Sequence, residues 1–158
     1  MTRPIRLGRT TIMIRRLQET DIDRVMELWL GVNLKTHDFV PAAYWRNNFE
    51  LVKEMLPQAE VYVYESAGEI QAFAGLTGEY IEGIFVSGEM QSQGIGKHLL
   101  DHIKTIKGTL YLSVYQKNTR AIRFYQREDF VIQREGLDEF TGEKEFTMLW
   151  RQATIRRC

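Results

Sequence analysis

Cysteine is nearly missing from the chain: its one thiol is Cys158, the last residue. One thiol makes no internal disulfide and offers no cysteine pair for zinc, so a reducing, cytoplasmic setting is expected. Net charge is missing too, because 21 Lys and Arg are cancelled by 21 Asp and Glu. A duplex-DNA binder draws its affinity from phosphate neutralisation and normally carries a basic excess, so no nucleic-acid partner is expected. Neutrality also removes self-repulsion, which leaves monomer and homodimer both open. No run approaches ~18 apolar residues, so no membrane span is expected. The basic start Met1-Thr-Arg-Pro-Ile-Arg-Leu-Gly-Arg has no apolar stretch behind it and does not read as a secretory signal. With three prolines, no internal repeat and no linker, the 158 residues suit a single globular domain.

Hydrophobic periodicity sets out the elements. Residues 1–11 read as a loose N-terminal extension, 12–152 as the domain and 153–158 as a tail. Ile12 to Leu17 suits a first strand. Thr20 offers a helix cap, and Ile22, Val25, Met26 and Trp29 carry a helix that Gly31 is expected to end. Residues 32–43 read as a loop, followed by a helix from Pro41 to about Leu56. Val61–Ser66, Ile70–Leu76 and Tyr80–Val86 form an antiparallel meander. Along the last of these, alternation puts Tyr80, Glu82, Ile84 and Val86 on one face and Ile81, Gly83 and Phe85 on the other. A helix follows with Ile95, Leu99, Leu100, Ile103 and Ile106 on one side, then a strand Thr109–Tyr115. The chain closes with a helix capped by Asn118 and two strands, Phe130–Arg134 and Glu145–Trp150. The whole is a mixed α/β layer.

Two segments carry chemistry. Gln91-Ser92-Gln93-Gly94-Ile95-Gly96 lies between a strand and a helix. A helix N-terminus leaves four N–H groups free and carries partial positive charge, and glycine lets those donors approach a ligand. Such a turn is either a pyrophosphate-like anion site or a plain tight turn. Its spacing matches neither the dinucleotide fingerprint nor the P-loop. The second segment is Asn118-Thr-Arg-Ala-Ile-Arg-Phe-Tyr125, in which Asn118 caps a helix and Tyr125 lies about two turns along it.

Together they resemble the GNAT N-acetyltransferase family, whose pattern is Arg/Gln-x-x-Gly-x-Gly/Ala opening one helix and Asn-x-x-Ala-x-x-Phe-Tyr on the next. The resemblance implies a central, mostly antiparallel sheet with helices on both faces, splayed between the fourth and fifth strands counted from Ile12. It implies acetyl-CoA as co-substrate. The backbone of Phe85 and Val86 would pair with the pantetheine arm. Gln91, Ser92, Gln93, Gly94, Ile95, Gly96 and Lys97 would hold the pyrophosphate, and Asn118 would contact the pantetheine. Tyr125 would protonate or hydrogen-bond the leaving thiolate, a task that suits a phenol beside a departing anion. Three positions depart from the family: Gly88 in place of a common proline, Gln91 in place of the commoner arginine, and Asp129 in place of glycine.

The acceptor side is less defined. Glu79 and Glu82 are the candidates for a general base, and Glu79 is expected at the strand mouth. His37, Phe39, Tyr44 and Trp45 are expected to line the acceptor pocket. The run from Leu28 to Arg46 resembles a bacterial GNAT subgroup associated with acetylation of protein lysines or N-termini. His98 and His102 stand four apart, but with no third ligand in sight no metal is expected. The expected reaction is direct attack of a primary amine, on a small molecule or a peptide, with no acyl-enzyme. A non-catalytic acetyl-CoA sensor and an enzyme using a longer acyl-CoA are the alternatives.

Overall fold

The computed structural model describes residues 5–7 and 10–153. Among the described residues, eight strands form one sheet: β1 (Ile5–Leu7), β2 (Thr10–Arg16), β3 (Glu60–Ser66), β4 (Glu69–Thr77), β5 (Tyr80–Val86), β6 (Thr109–Tyr115), β7 (Val131–Leu137) and β8 (Lys144–Arg151). Their order is β1-β2-β3-β4-β5-β6-β8-β7. Every neighbouring pair is antiparallel except β5 and β6, which run parallel and meet only at Tyr80–Tyr111 and Ile81–Leu112. Beyond those two rungs the strands part. Counted from Ile12, these are the fourth and fifth strands, where the splay was expected.

Helices cover both faces of the sheet: α1 (Ile22–Thr36) and α2 (Ala42–Met55) on one, α3 (Ile95–Lys104) and α4 (Thr119–Arg127) on the other. The apolar stripe of α3 drives its packing, since Ile95, Leu99, Leu100 and Ile103 are all buried. At about 1.5–3 kcal/mol for each fully buried large side chain, that stripe fixes where the N-terminus of α3 points. Ile106 does not join it: the helix stops at Lys104, and Ile106 is exposed.

Four readings need correction. Gly31 does not end the first helix, which runs on to Thr36 because Asn33 continues the buried stripe of Val25, Met26 and Trp29. A mid-helix glycine costs about 1 kcal/mol, and the helix runs on past it with the buried Asn33 side chain hydrogen-bonded to His37 at 2.8 Å. The chain does not enter α1 on a Thr20 cap; a 3₁₀ turn, Glu19–Asp21, precedes it, and Asp21 accepts from the Gln18 N–H at 2.7 Å and from Arg15. Ile5–Leu7 is not loose extension but pairs with Thr10–Ile12; residues 1–4 and 8–9, and the tail with Cys158, lie outside the described residues. The alternation along β5 also breaks. Leu76 pairs with Ile81 and Gly75 with Gly83, so Glu82 is the extra residue of a bulge. Ile81, Ile84 and Val86 therefore share the α3/α4 face, while Phe85 stacks on Phe73 at 4.7 Å on the other.

Candidate active site

A cleft of about 790 Å³ opens where β5 leaves β6, walled by the N-termini of α3 and α4. Gly94 caps α3 with φ 79°, a left-handed conformation that glycine takes at no steric cost. Ser92 before it also has positive φ, 67°. The N–H of His98 bonds Gly94 O, so those of Ile95, Gly96 and Lys97 are the orphan donors at the helix start. Gly96 faces the Phe124 ring of α4, and a Cβ there would stand 3.4 Å from it, an ordinary contact distance.

The cleft is basic, with Lys35, Lys97, Lys117, Arg120 and Arg127 around it. Arg120, which sequence reasoning missed, reaches from α4 to donate to Gln91 Oε1 at 3.1 Å and Ser92 Oγ at 2.6 Å. It returns to the loop the positive charge lost by having glutamine at position 91. Gln91 itself bonds back to Val86 O. Lys97 is turned toward carboxylates, 3.0 Å from Glu128 and 3.4 Å from Asp101. Gln93 is exposed and stands off the cleft, and the Phe85 ring faces the opposite side of the sheet. What Phe85 and Val86 contribute is strand edge, unpaired toward β6 beyond Ile81. Among the departures, Asp129 takes the left-handed conformation of the glycine it replaces, with φ 71°.

Asn118 caps α4, its Oδ1 accepting from the Ala121 N–H at 3.2 Å. Tyr125 lies two turns on, 7% exposed, wedged between Phe124 and Phe130 and facing the cleft. Burial, and then the neighbouring Tyr80, push its phenol pKa well up. At neutral pH it holds its proton and can donate.

The other side of the splay is aromatic and acidic. His37 at the end of α1 lies 5.7 Å from Phe39, 5.6 Å from Trp45 and 5.0 Å from Tyr115, ring to ring. Trp45 is buried against Trp29 and backs this cluster, whereas Phe39 and Tyr44 are only half-buried. Three contributors come from distant strands. Tyr115 donates to Asp138 Oδ2 at 2.8 Å. Glu145 is the register partner of Tyr115 at the open end of β6, half-buried, its pKa raised by burial and by Asp138. Tyr80 is raised by burial, lies beside Ser113 and feels Glu82 and Glu145. No local motif marks Glu145; only the pairing of β6 with β8 brings it here.

Glu79 is not at the mouth. Its carbonyl accepts from the Tyr111 N–H at 3.0 Å and its carboxylate from the Tyr111 hydroxyl, at the closed end of the splay. Glu82, exposed on the bulge, accepts from Thr77 Oγ1 at 3.1 Å. His102 packs on Tyr62 and His98 on Tyr64. Among the described residues no group of three or more His, Cys, Asp or Glu is gathered for a metal, and no helix is long and apolar enough to cross a membrane.

Known proteins resemble this chain in sequence and in fold. Residues 57–132 match the model of the acetyltransferase (GNAT) domain. The peptidyl-lysine N-acetyltransferase YiaC of Escherichia coli K12 is 36% identical over 122 residues, 76% of this chain and 84% of that protein. The peptidyl-lysine N-acetyltransferase YjaB of Salmonella typhimurium LT2 is 34% identical, over 77% of this chain and 84% of its own. In fold, the apo solution structure of YjaB from E. coli superposes with a TM-score of 0.79 at 23% identity, over 90% of this chain and 99% of that one. The acetyl-CoA complex of yncA from S. typhimurium gives 0.67 at 16%, over 93% and 97%. The chain therefore belongs to the GNAT N-acetyltransferase family and is an enzyme of acetyl transfer from acetyl-CoA to an amine.

Proposed function

We propose that the acceptor is the side-chain amine of a peptidyl lysine, attacking the thioester directly across the splay between β5 and β6. The observation that carries this reading is the two-sided opening: a basic cleft with Tyr125 on one side, an aromatic and acidic pocket on the other, joined where the strands part. A lysine offers an ammonium on a slender apolar stem, which aromatic walls and carboxylates favour. The names of the YiaC and YjaB relatives support the same substrate class.

The residues fit acetyl-CoA: five cations and the N-terminus of α3 for its phosphates, an open strand edge for its amide-bearing arm. When bound, it supplies the thioester carbonyl. In this reading the edge of β5 at Phe85 and Val86 aligns the arm, while the loop Gln91–Lys97, braced by Arg120, grips the phosphate end. Asn118 steadies the arm, and Tyr125 holds a proton for the departing sulfur. An ammonium must lose a proton before it attacks. Glu145 suits that task best, being half-buried at the open end with an affinity for protons raised by burial and Asp138. Glu79 and Glu82, at the closed end and on the bulge, serve as comparisons. The single cysteine supports a cytoplasmic setting.

Thiol release from acetyl-CoA, followed with lysine-containing peptides, N-terminally blocked or not, and with free polyamines, tests the proposal. Turnover on blocked lysine peptides above that on polyamines is expected. Preference for polyamines, or for peptides with only a free N-terminus, would overturn the lysine assignment.

A further inference from the structure

We propose that His37 is a positioning residue that ties the acceptor loop to the coenzyme cleft by holding Asn118 in its capping orientation. This rests on the acetyl-CoA reading of the cleft and adds a link between its two sides.

Donors and acceptors fix each atom of this contact. A backbone N–H can only donate, so the Asn118 atom facing Ala121 N must be the amide oxygen. The Asn118 NH₂ therefore points the other way, to His37 Nε2 at 3.2 Å. An NH₂ can only donate, so Nε2 must be bare and accepting. The remaining ring proton sits on Nδ1, which donates to Asn33 Oδ1 at 2.8 Å. Asn33 is 2% exposed within α1. The relay Ala121 → Asn118 and Asn118 → His37 → Asn33 thus has one self-consistent direction, and its imidazole is neutral. Its His37–Asn118 link spans 81 residues of sequence, and the relay joins the last turn of α1 to the first turn of α4. If Asn118 lost His37 it would be free to turn over, and its oxygen would leave the cap of the helix that carries Tyr125 and Arg120.

The ring environment supplies an opposed prediction. His37 is surrounded by Phe39, Trp45 and Tyr115. If it served only as aromatic packing, His37→Phe would be mild and His37→Gln harmful. If it serves as a relay, the order reverses. Glutamine can donate to Asn33 through its NH₂ and accept from Asn118 through its oxygen, whereas phenylalanine can do neither.

The test is titration calorimetry of CoA with wild type, His37→Phe and His37→Gln, each checked for its fold by circular dichroism. His37→Phe is expected to weaken CoA about tenfold, the scale of losing one such hydrogen bond and freeing its partner. His37→Gln is expected to recover most of that loss. Binding by His37→Phe within twofold of wild type, or weaker binding by His37→Gln than by His37→Phe, would overturn the inference while leaving the acetyl-CoA reading intact. A wild-type chain that binds no CoA would overturn both. Nitrogen NMR of the wild type needs no variant: the His37 ring is expected as the Nδ1–H tautomer at neutral pH, and an Nε2–H tautomer would refute the relay.

Discussion

The two sides of the splayed sheet are built by different means. On the proposed coenzyme side, much of what faces the cleft is backbone: the N-terminus of α3, a left-handed Gly94 and the edge of β5. These are local features, packed into two short stretches of sequence. On the acceptor side the groups arrive from far apart, with His37 at the end of α1, Tyr115 on β6, Asp138 after β7 and Glu145 on β8. A site for a constant ligand can be made of main chain, while a site for a variable acceptor needs side chains that can change without disturbing the fold.

The sharpest way to break this comparison is at Tyr125, where the sides meet. Tyr125→Phe keeps the packed ring and removes the hydroxyl. Its turnover number is expected to fall about 10²–10⁴-fold with acetyl-CoA affinity nearly unchanged, measured by thiol release and calorimetry. An undiminished turnover number would remove the phenol from the reaction. Next is the acceptor side alone. Glu145→Gln is expected to lower kcat/KM for a lysine peptide about 10²-fold, and Glu79→Gln by less than threefold. The reverse order in the same assay would return the base to the closed end of the splay. Then comes the coenzyme side alone. Arg120→Ala is expected to weaken CoA about tenfold, as loss of a charge-assisted contact does, and to flatten the salt dependence of binding. Lys97→Ala, already turned toward Glu128 and Asp101, is expected to cost two- to threefold.

A last effect concerns stability against pH rather than turnover or binding. Burial lowers the His37 pKa from 6.5 to about 4. Between those values the unfolded chain binds more protons than the folded one, so stability must fall as pH falls. The contribution is whole above about pH 6.5 and is lost progressively toward pH 4. Thermal melts from pH 7.5 to 4.5 should show a shallower decline for His37→Gln than for wild type. Parallel declines would mean that other groups carry the acid sensitivity.

What sequence could reveal follows the same division. The helix-opening loop, the Asn118 cap and the position of Tyr125 were legible because each depends on residues within a turn or two. The parting of two strands was legible through the family likeness. Three things were not. The bulge at Glu82 arises from how β4 and β5 settle into register, and it reverses the facing of every residue before it. The run of α1 past Gly31 goes with the buried Asn33 finding a half-buried partner in His37, a polar pair that reads locally as loop. The reach of Arg120 to Gln91 requires two helices, 29 residues apart at this contact, to pack side by side, which no local pattern announces.

The short parallel seam between β5 and β6 has one more consequence. A strand edge with bare amides and carbonyls is ordinarily a hazard, since any other extended chain can add to it. Here that edge lies in a cleft walled by α3 and α4, beside the short parallel seam. On the proposed reading, the coenzyme's arm completes a sheet that the polypeptide leaves unfinished, and the protein regains an open seam each time the spent coenzyme departs.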